Sequence, residues 1–292
     1  MCKVTRRHLL VCLLGLMLSS TAIAEVVRCK DKSGQIIFTD NPRLCSSKEQ
    51  ETIVLKSDNQ YTSIVDIKTK RRIKTNFRVP KRLYKKADST WVIYIEKNLL
   101  ANDPSLGQQA LSKLELNLND IFDKLPPVAA SRLKSLSFYL MWGKQSTKEK
   151  PLNGLSYIRK GEANNYPTLD PRWSHSIIVY SAKNLMYLDE VWTKKALMHE
   201  MAHAWHITNW PDKHPPIVAA YENAKQQGLY RSIKDYKGRS IPKAYALKNQ
   251  LEYFSDLSAI YFVGGNYYPF NQEGLSKYDN VGLQLVSSLW GY

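Results

Sequence analysis

The sequence predicts an α+β protein: a small β unit, a basic stretch, and a larger domain in which strands alternate with amphipathic helices. Three observations carry that expectation. Two strand-like runs flank turn residues between positions 25 and 50. Beyond position 88, strand-like runs are interleaved with segments of helical period. Inside one of those helical segments lies a His-Glu-x-x-His run, and that run indicates what the larger domain is built to hold.

The chain has 292 residues, enough for one sizeable domain and a smaller one. Its 43% apolar and 23% charged content is ordinary for a globular chain and excludes a disordered or fibrous one. Residues 1–24 read as an export signal. Lys3, Arg6 and Arg7 make a positive start, Leu9 to Leu18 is an almost unbroken apolar run, and Ala22-Ile23-Ala24 supplies a small-x-small cleavage site. The strongly apolar centre favours the general secretory route over a twin-arginine one. No later run approaches about 18 consecutive apolar residues, so no transmembrane segment is expected once the signal is removed. Removal takes the formal net charge from +16 to +13, because three basic residues and no acidic one leave with it. A charge of that size favours anionic surroundings.

The first unit spans residues 25–50. Val26-Val27-Arg28-Cys29 and Gln35-Ile36-Ile37-Phe38-Thr39 are strand-like, with turn chemistry at Asp31-Lys32-Ser33-Gly34 and a stop at Asn41-Pro42. Of four cysteines, Cys2 and Cys12 leave with the signal. In an oxidising compartment the remaining pair, Cys29 and Cys45, reads as a disulfide. Closing that loop would contribute on the order of 3 kcal/mol to a unit with little core. Arg28-Cys29-Lys30-Asp31, Gly34, Phe38-Thr39-Asp40 and Pro42 resemble the small N-terminal hairpin domains, of unknown function, of exported bacterial proteins. That resemblance implies a periplasmic or extracellular setting.

Residues 51–88 read as a basic connector. From Lys68 to Lys86 there are ten basic residues and no acidic one. Such a run is either a solvated linker or an anchor to an anionic envelope polymer through many exchangeable contacts. Nucleic acid is not expected as a partner outside the cytoplasm.

The larger domain occupies 89–292. Trp91 to Ile95 reads as a strand. Leu106 to Leu125 has helical period, with Leu111, Leu114, Leu118, Ile121 and Leu125 near one face, and Pro126-Pro127 stops it. Leu136 to Trp142 and Ser176 to Tyr180 are strand-like. A helix is expected from about Glu190 to Ile207, ended by Trp210-Pro211. A second runs from Pro216 to about Gln227, followed by Gly228. A third runs from about Pro242 to Phe262, before Gly264-Gly265.

His199-Glu200-Met201-Ala202-His203 carries the chemistry. Residues four apart share a helix face, so both imidazoles can address one ion. Zinc takes histidine nitrogen at about 2.0–2.1 Å in a tetrahedral set. Glu200, next to the first histidine, can act as base toward a water activated by the metal. Two satisfied core histidines are the plain alternative. His206 reads as a packing residue or a partner behind the ligands rather than a ligand itself.

The third ligand is sought on the third helix. Tyr245, Asn249, Glu252 and Asp256 fall in one stripe at about 3.6 residues per turn. A polar stripe on an otherwise apolar helix is costly to bury without partners, and a metal with its supporting groups would supply them. A helix with one wetted face would give the same pattern, since Lys248 and Gln250 need solvent. On the metal reading Glu252 is the third ligand and Asp256 accepts the free N–H of a ligand histidine. Asn249 then orients the helix or the histidine loop, and Tyr245 donates to an oxyanion.

These segments resemble the gluzincin metallopeptidases, and within them the lethal-factor-like branch with its related secreted microbial proteins. The carriers are His199 to His206, Tyr245-Ala246-Leu247, Asn249-x-x-Glu252-Tyr253-Phe254, Ala259-x-Tyr261-Phe262 and Asn266 to Phe270. The resemblance covers about residues 150–291. It implies a metallopeptidase fold with an active-site helix and a third-ligand helix, and one Zn2+ on His199, His203 and Glu252. It further implies Glu200 as base, Tyr245 assisting, and a protein or peptide substrate. Ser255-Asp256 departs from the Ala-Glu commoner in the branch. Two other functions stay open on the residues: a non-catalytic envelope-binding protein of the same fold, and a zinc amidase acting on cell-wall amide bonds.

Overall fold

The computed structural model describes residues 82–143, 154–162 and 169–291, and the strand backbones at 24–30, 36–39, 51–58, 61–66 and 72–73. Contacts divide the chain into two compact units, Met1–Phe77 and Arg78–Tyr292. The expected export signal, short of Ala24, and Cys45 lie outside the described residues. The Cys29–Cys45 pairing therefore does too.

In the first unit, β1 (Ala24–Lys30) and β2 (Ile36–Thr39) form an antiparallel pair with Val27 opposite Thr39 and Lys30 opposite Ile36. The sheet continues through β3 (Glu51–Asp58), β4 (Tyr61–Asp66) and β5 (Arg72–Ile73) in the order β2-β1-β3-β4-β5. The stretch expected to be a connector, 51–88, thus carries strands. Its Thr52-Ile53-Val54-Leu55 and Ile64-Val65 are β-branched or apolar residues suited to a pleated surface, a local preference that the density of basic charge further along obscures.

The second unit runs in order through β6 (Tyr84–Lys86), β7 (Val92–Glu96), α1 (Lys97–Asn102), α2 (Pro104–Phe122), α3 (Pro127–Leu133), β8 (Ser137–Leu140), β9 (Leu155–Ile158), β10 (Ser176–Val179) and α4 (Ala182–Tyr187). Then come α5 (Glu190–Asn209), α6 (Pro215–Gln226), β11 (Arg231–Lys234), β12 (Ser240–Lys243), α7 (Gln250–Val263), α8 (Gln272–Tyr278) and α9 (Asn280–Trp290). Its main sheet has the order β6-β7-β8-β10-β9. Strands β7, β8 and β10 are parallel, and β6 and β9 pair antiparallel at the two edges. Successive side chains leave a strand on opposite faces. Phe138, Leu140, Ile177 and Val179 accordingly join the main helix-packed core, while Tyr139, Met141, Ile178 and Tyr180 join a smaller cluster with Trp173.

Helix α2 opens at Asp103, which accepts a hydrogen bond from the Leu106 amide at 3.2 Å, with Pro104 in the first turn. It buries Ala110, Leu111, Leu114, Leu118 and Ile121, the face that its period predicts. Helix α5 opens at Asp189, which accepts from the Trp192 amide at 2.9 Å, and packs along α7.

The third helix starts later than its sequence suggests. Pro242 lies in β12, one strand of a two-stranded ribbon, where proline is tolerated. Tyr245–Leu247 forms a single 3-10 turn, and α7 begins at Gln250. Asn249 sets that start by accepting from the amides of Leu251 at 2.9 Å and Glu252 at 3.0 Å. Tyr245 therefore precedes the helix that carries Glu252 and Asp256, and their nearness comes from the turn instead of from a shared stripe.

Helix α9 closes the far side of α7. Gly282 permits the close approach: a Cβ there would sit 2.4 Å from Leu257 and 2.6 Å from the Tyr253 hydroxyl. Trp290 stacks on Trp205 of α5 at 5.1 Å between ring centroids and donates to Ser258 of α7 at 3.0 Å. Beside this contact, buried Asp279 accepts the hydroxyls of Tyr253 at 2.7 Å and Tyr230 at 2.9 Å, and the Gly282 amide at 2.9 Å. Asp279→Ala strands all three donors, two of them buried phenols, and is expected to destabilise the larger unit by about 3 kcal/mol. A lowered urea midpoint at unchanged m-value would register that loss.

Candidate metal centre

Three side chains from two helices converge. His199 and His203, one turn apart on α5, bring their Nε2 atoms to 3.1 Å from each other. Glu252, in the first turn of α7, places Oε2 at 3.0 Å from His199 Nε2 and 3.1 Å from His203 Nε2. His199, His203 and Glu252 form a group that could hold a metal ion. Ligand bonds of about 2.0–2.1 Å at tetrahedral angles place ligand atoms about 3.3–3.4 Å apart, close to the triangle the three side chains make.

The hydrogen bonds behind the rings say which atoms are offered. Asp256 Oδ1 lies 2.8 Å from His199 Nδ1. An ionised carboxylate only accepts, so Nδ1 carries the proton and Nε2 presents its lone pair. Ser255 Oγ lies 2.9 Å from His203 Nδ1 and can accept in the same way. Two imidazole lone pairs and a carboxylate oxygen then face one point, an arrangement that repels itself until a cation sits among them. His199 reports that demand for positive charge. Burial disfavours its imidazolium, yet hydrogen bonds to the carboxylates of Asp256 and Glu252 push its pKa up to about 9.

Asp256 is almost completely buried and fully occupied. Besides His199 it takes Lys195 Nζ at 3.1 Å and the Tyr267 hydroxyl. Burial works against its charge, but Lys195 and then the His199 hydrogen bond hold its carboxyl well below the usual range. Burial also opposes the charge on Glu252, and the neighbouring His199 and His203 rings together with Lys248 overcome it, holding its carboxyl well below the usual range. Of these partners, Lys195, Ser255, Lys248 and Tyr267 were not among the residues singled out from the sequence as site groups. Lys195 stands four before His199 and Ser255 three after Glu252, so helical spacing was a usable signal for both. Tyr267 has no local signal, because it arrives from beyond α7.

The other expected residues fall as follows. Glu200 is half-buried, lines the same cleft, and accepts the Tyr157 amide at 2.7 Å with Oε2. Tyr245 also lines the cleft, with its hydroxyl 3.2 Å from Glu252 Oε1. Burial raises its pKa, partly offset by Lys248, so the phenol keeps its proton. Asn249 orients α7 by capping it. His206 donates from Nε2 to the Pro211 carbonyl at 3.1 Å and packs against Phe254, a structural role at the end of α5.

The cleft above the cluster has a volume of about 930 Å³. Its walls are edge strand β9 with Leu155 and Tyr157, α5 from Trp192 to Ile207, and the segment from Ile241 through Lys248 to Glu252. Compared with protein-family models, curated proteins and solved structures, the chain gives no match.

Removing one corner of the triangle tests it. The chain stripped with chelator is expected to take up one equivalent of a divalent transition-metal ion, and Glu252→Ala to lose that uptake. Elemental analysis after gel filtration gives the number; equal metal in the variant would remove Glu252 from the set.

Proposed function

We propose that this chain is an exported zinc-dependent peptidase, with a larger unit of the gluzincin type. The observation that carries the reading is the meeting of His199 Nε2, His203 Nε2 and Glu252 Oε2 within 3.1 Å of one another, beside Glu200 in an open cleft. Two imidazoles and one carboxylate, with room for a further ligand, suit zinc in a catalytic site. When bound, zinc would polarise a scissile carbonyl and lower the pKa of a water to roughly 7.

The chain's own residues supply the rest. Glu200 takes a proton from the attacking water and passes it to the leaving amine. Its Oε2 is held by the Tyr157 amide, so the carboxylate is aimed before substrate arrives. Tyr245, protonated and half-exposed on the cleft, donates its hydroxyl to the oxyanion of the tetrahedral intermediate. Asp256 fixes the His199 ring through Nδ1 and Ser255 fixes the His203 ring. The extended peptide backbone of a protein substrate suits a cleft with an edge strand as one wall.

Glu200→Gln is expected to retain the metal while peptide hydrolysis falls by about 10²–10⁴-fold. Digestion of a peptide library, with metal content measured on the same samples, decides it. Wild-type rates in the variant would end the assignment of Glu200 as base.

The basic run from Lys68 to Lys86 supports retention on an anionic envelope polymer. Replacing Lys68, Lys70, Arg71 and Lys74 with glutamine is expected to release the protein from envelope preparations at lower salt than wild type. Identical salt profiles would reduce the run to a linker.

A further inference from the structure

Lys248 has no part in the chemistry derived above, yet it touches two of the groups that do. It stands at the junction between the 3-10 turn of Tyr245–Leu247 and the Asn249 cap of α7. Its Nζ donates to Glu252 Oε1 at 2.7 Å and to the Tyr245 hydroxyl at 2.8 Å, and it lies over the Tyr245 ring at 4.7 Å. The Tyr245 hydroxyl in turn donates to the same Oε1 at 3.2 Å. A closed triangle of ammonium, phenol and carboxylate oxygen results. It is built on the Glu252 oxygen that the histidines do not contact.

A carboxylate can give a metal one oxygen or both. In Glu252 the two oxygens are not equivalent. Oε2 faces His199 and His203 at 3.0 and 3.1 Å. Oε1 has two lone pairs, and both are engaged, one by Lys248 and one by Tyr245. We infer that Lys248 is a positioning residue that holds Glu252 to a single donor oxygen, so that the protein gives a bound metal three ligands and leaves the fourth position open. The inference rests on the proposed metal site and goes beyond it, because it assigns the coordination number to a residue that is not a ligand.

The consequence has an unusual sign. Without the ammonium, Oε1 keeps only the longer bond from Tyr245 and can turn toward the metal as a fourth donor. A positive charge close to the ion is lost at the same time. Both changes strengthen metal binding, and the first blocks the position that a reacting water needs. A merely structural lesion at the mouth of α7 would weaken binding and activity together. Loss of Lys248 by this route moves them in opposite directions.

The test uses the full chain and its variants Lys248→Met and Lys248→Arg, loaded with Zn2+ for affinity and hydrolysis and with Co2+ for the visible spectrum. Lys248→Met is expected to withdraw zinc from a competing chelator more readily than wild type and to change the Co2+ absorption toward higher coordination. Its kcat on a peptide substrate should fall by about 10–100-fold, the range usual for groups behind metal ligands. Lys248→Arg keeps a cation on Oε1 and should restore most of the wild-type spectrum and rate. Unchanged spectrum and affinity in Lys248→Met, or affinity and activity falling together, would overturn the inference and leave the proposed peptidase standing. A wild-type chain that takes up neither ion would remove both.

Discussion

Where α5 lies against α7, charges that are expensive to bury are buried together. His199, Lys195, Glu252 and Asp256 all sit at or below about a tenth exposure, and an isolated ion in such surroundings costs several kcal/mol. They persist because each meets its complement: Asp256 takes Lys195, His199 and Tyr267, while Glu252 takes both histidines and Lys248. The network is worth having only while it is complete, since in a medium of low polarity an unpaired member is as costly as a paired one is favourable. That constraint dictates the register of the two helices, and the register places three donor atoms at one point.

Helix α7 shows how the constraint shapes the rest of the unit. Between Glu252 and Ile260 every residue is buried, so the helix has no face on which a polar side chain could escape to water. Its polar residues are matched one by one to neighbouring elements. Ser255 goes to His203, Asp256 to His199, and Ser258 to Trp290 of α9. Tyr253 sends its hydroxyl to Asp279, on the side where α9 approaches across Gly282. The helix is thus gripped on one side by the candidate metal centre and on the other by α9. A donor triangle with sides of 3.0–3.1 Å needs that rigidity, because a site half an ångström too loose gives away most of its preorganisation.

The mixed sheet makes a different contribution. Its central parallel strands bury both faces, and its edge strand β9 is the wall of the cleft. The Tyr157 amide, on that edge, holds Glu200. One edge strand therefore links the sheet to the carboxylate beside the metal position. The polar group of Asp256, Tyr267 and Lys195 lines the same cleft.

Much of this was legible in the chain itself. The period of α2, its stop at Pro126-Pro127 and the stop at Trp210-Pro211 located their helices within a few residues, because each signal is local and acts within one or two turns. The spacing of His199 and His203 put both rings on one face for the same reason, and the polar residues Glu252 and Asp256 marked the partner helix. Local pattern misled at Pro242, where proline in a short ribbon reads the same as proline opening a helix, and in 51–66, where strand residues sit beside a dense run of charge. What the tertiary structure alone decided is which groups meet: Ser255 behind His203, Lys195 and Tyr267 on Asp256, Tyr157 on Glu200, and Lys248 on the far oxygen of Glu252. These contacts join positions that helical period cannot relate, or select one rotamer among several, and both outcomes are set by packing between elements instead of by any preference within them.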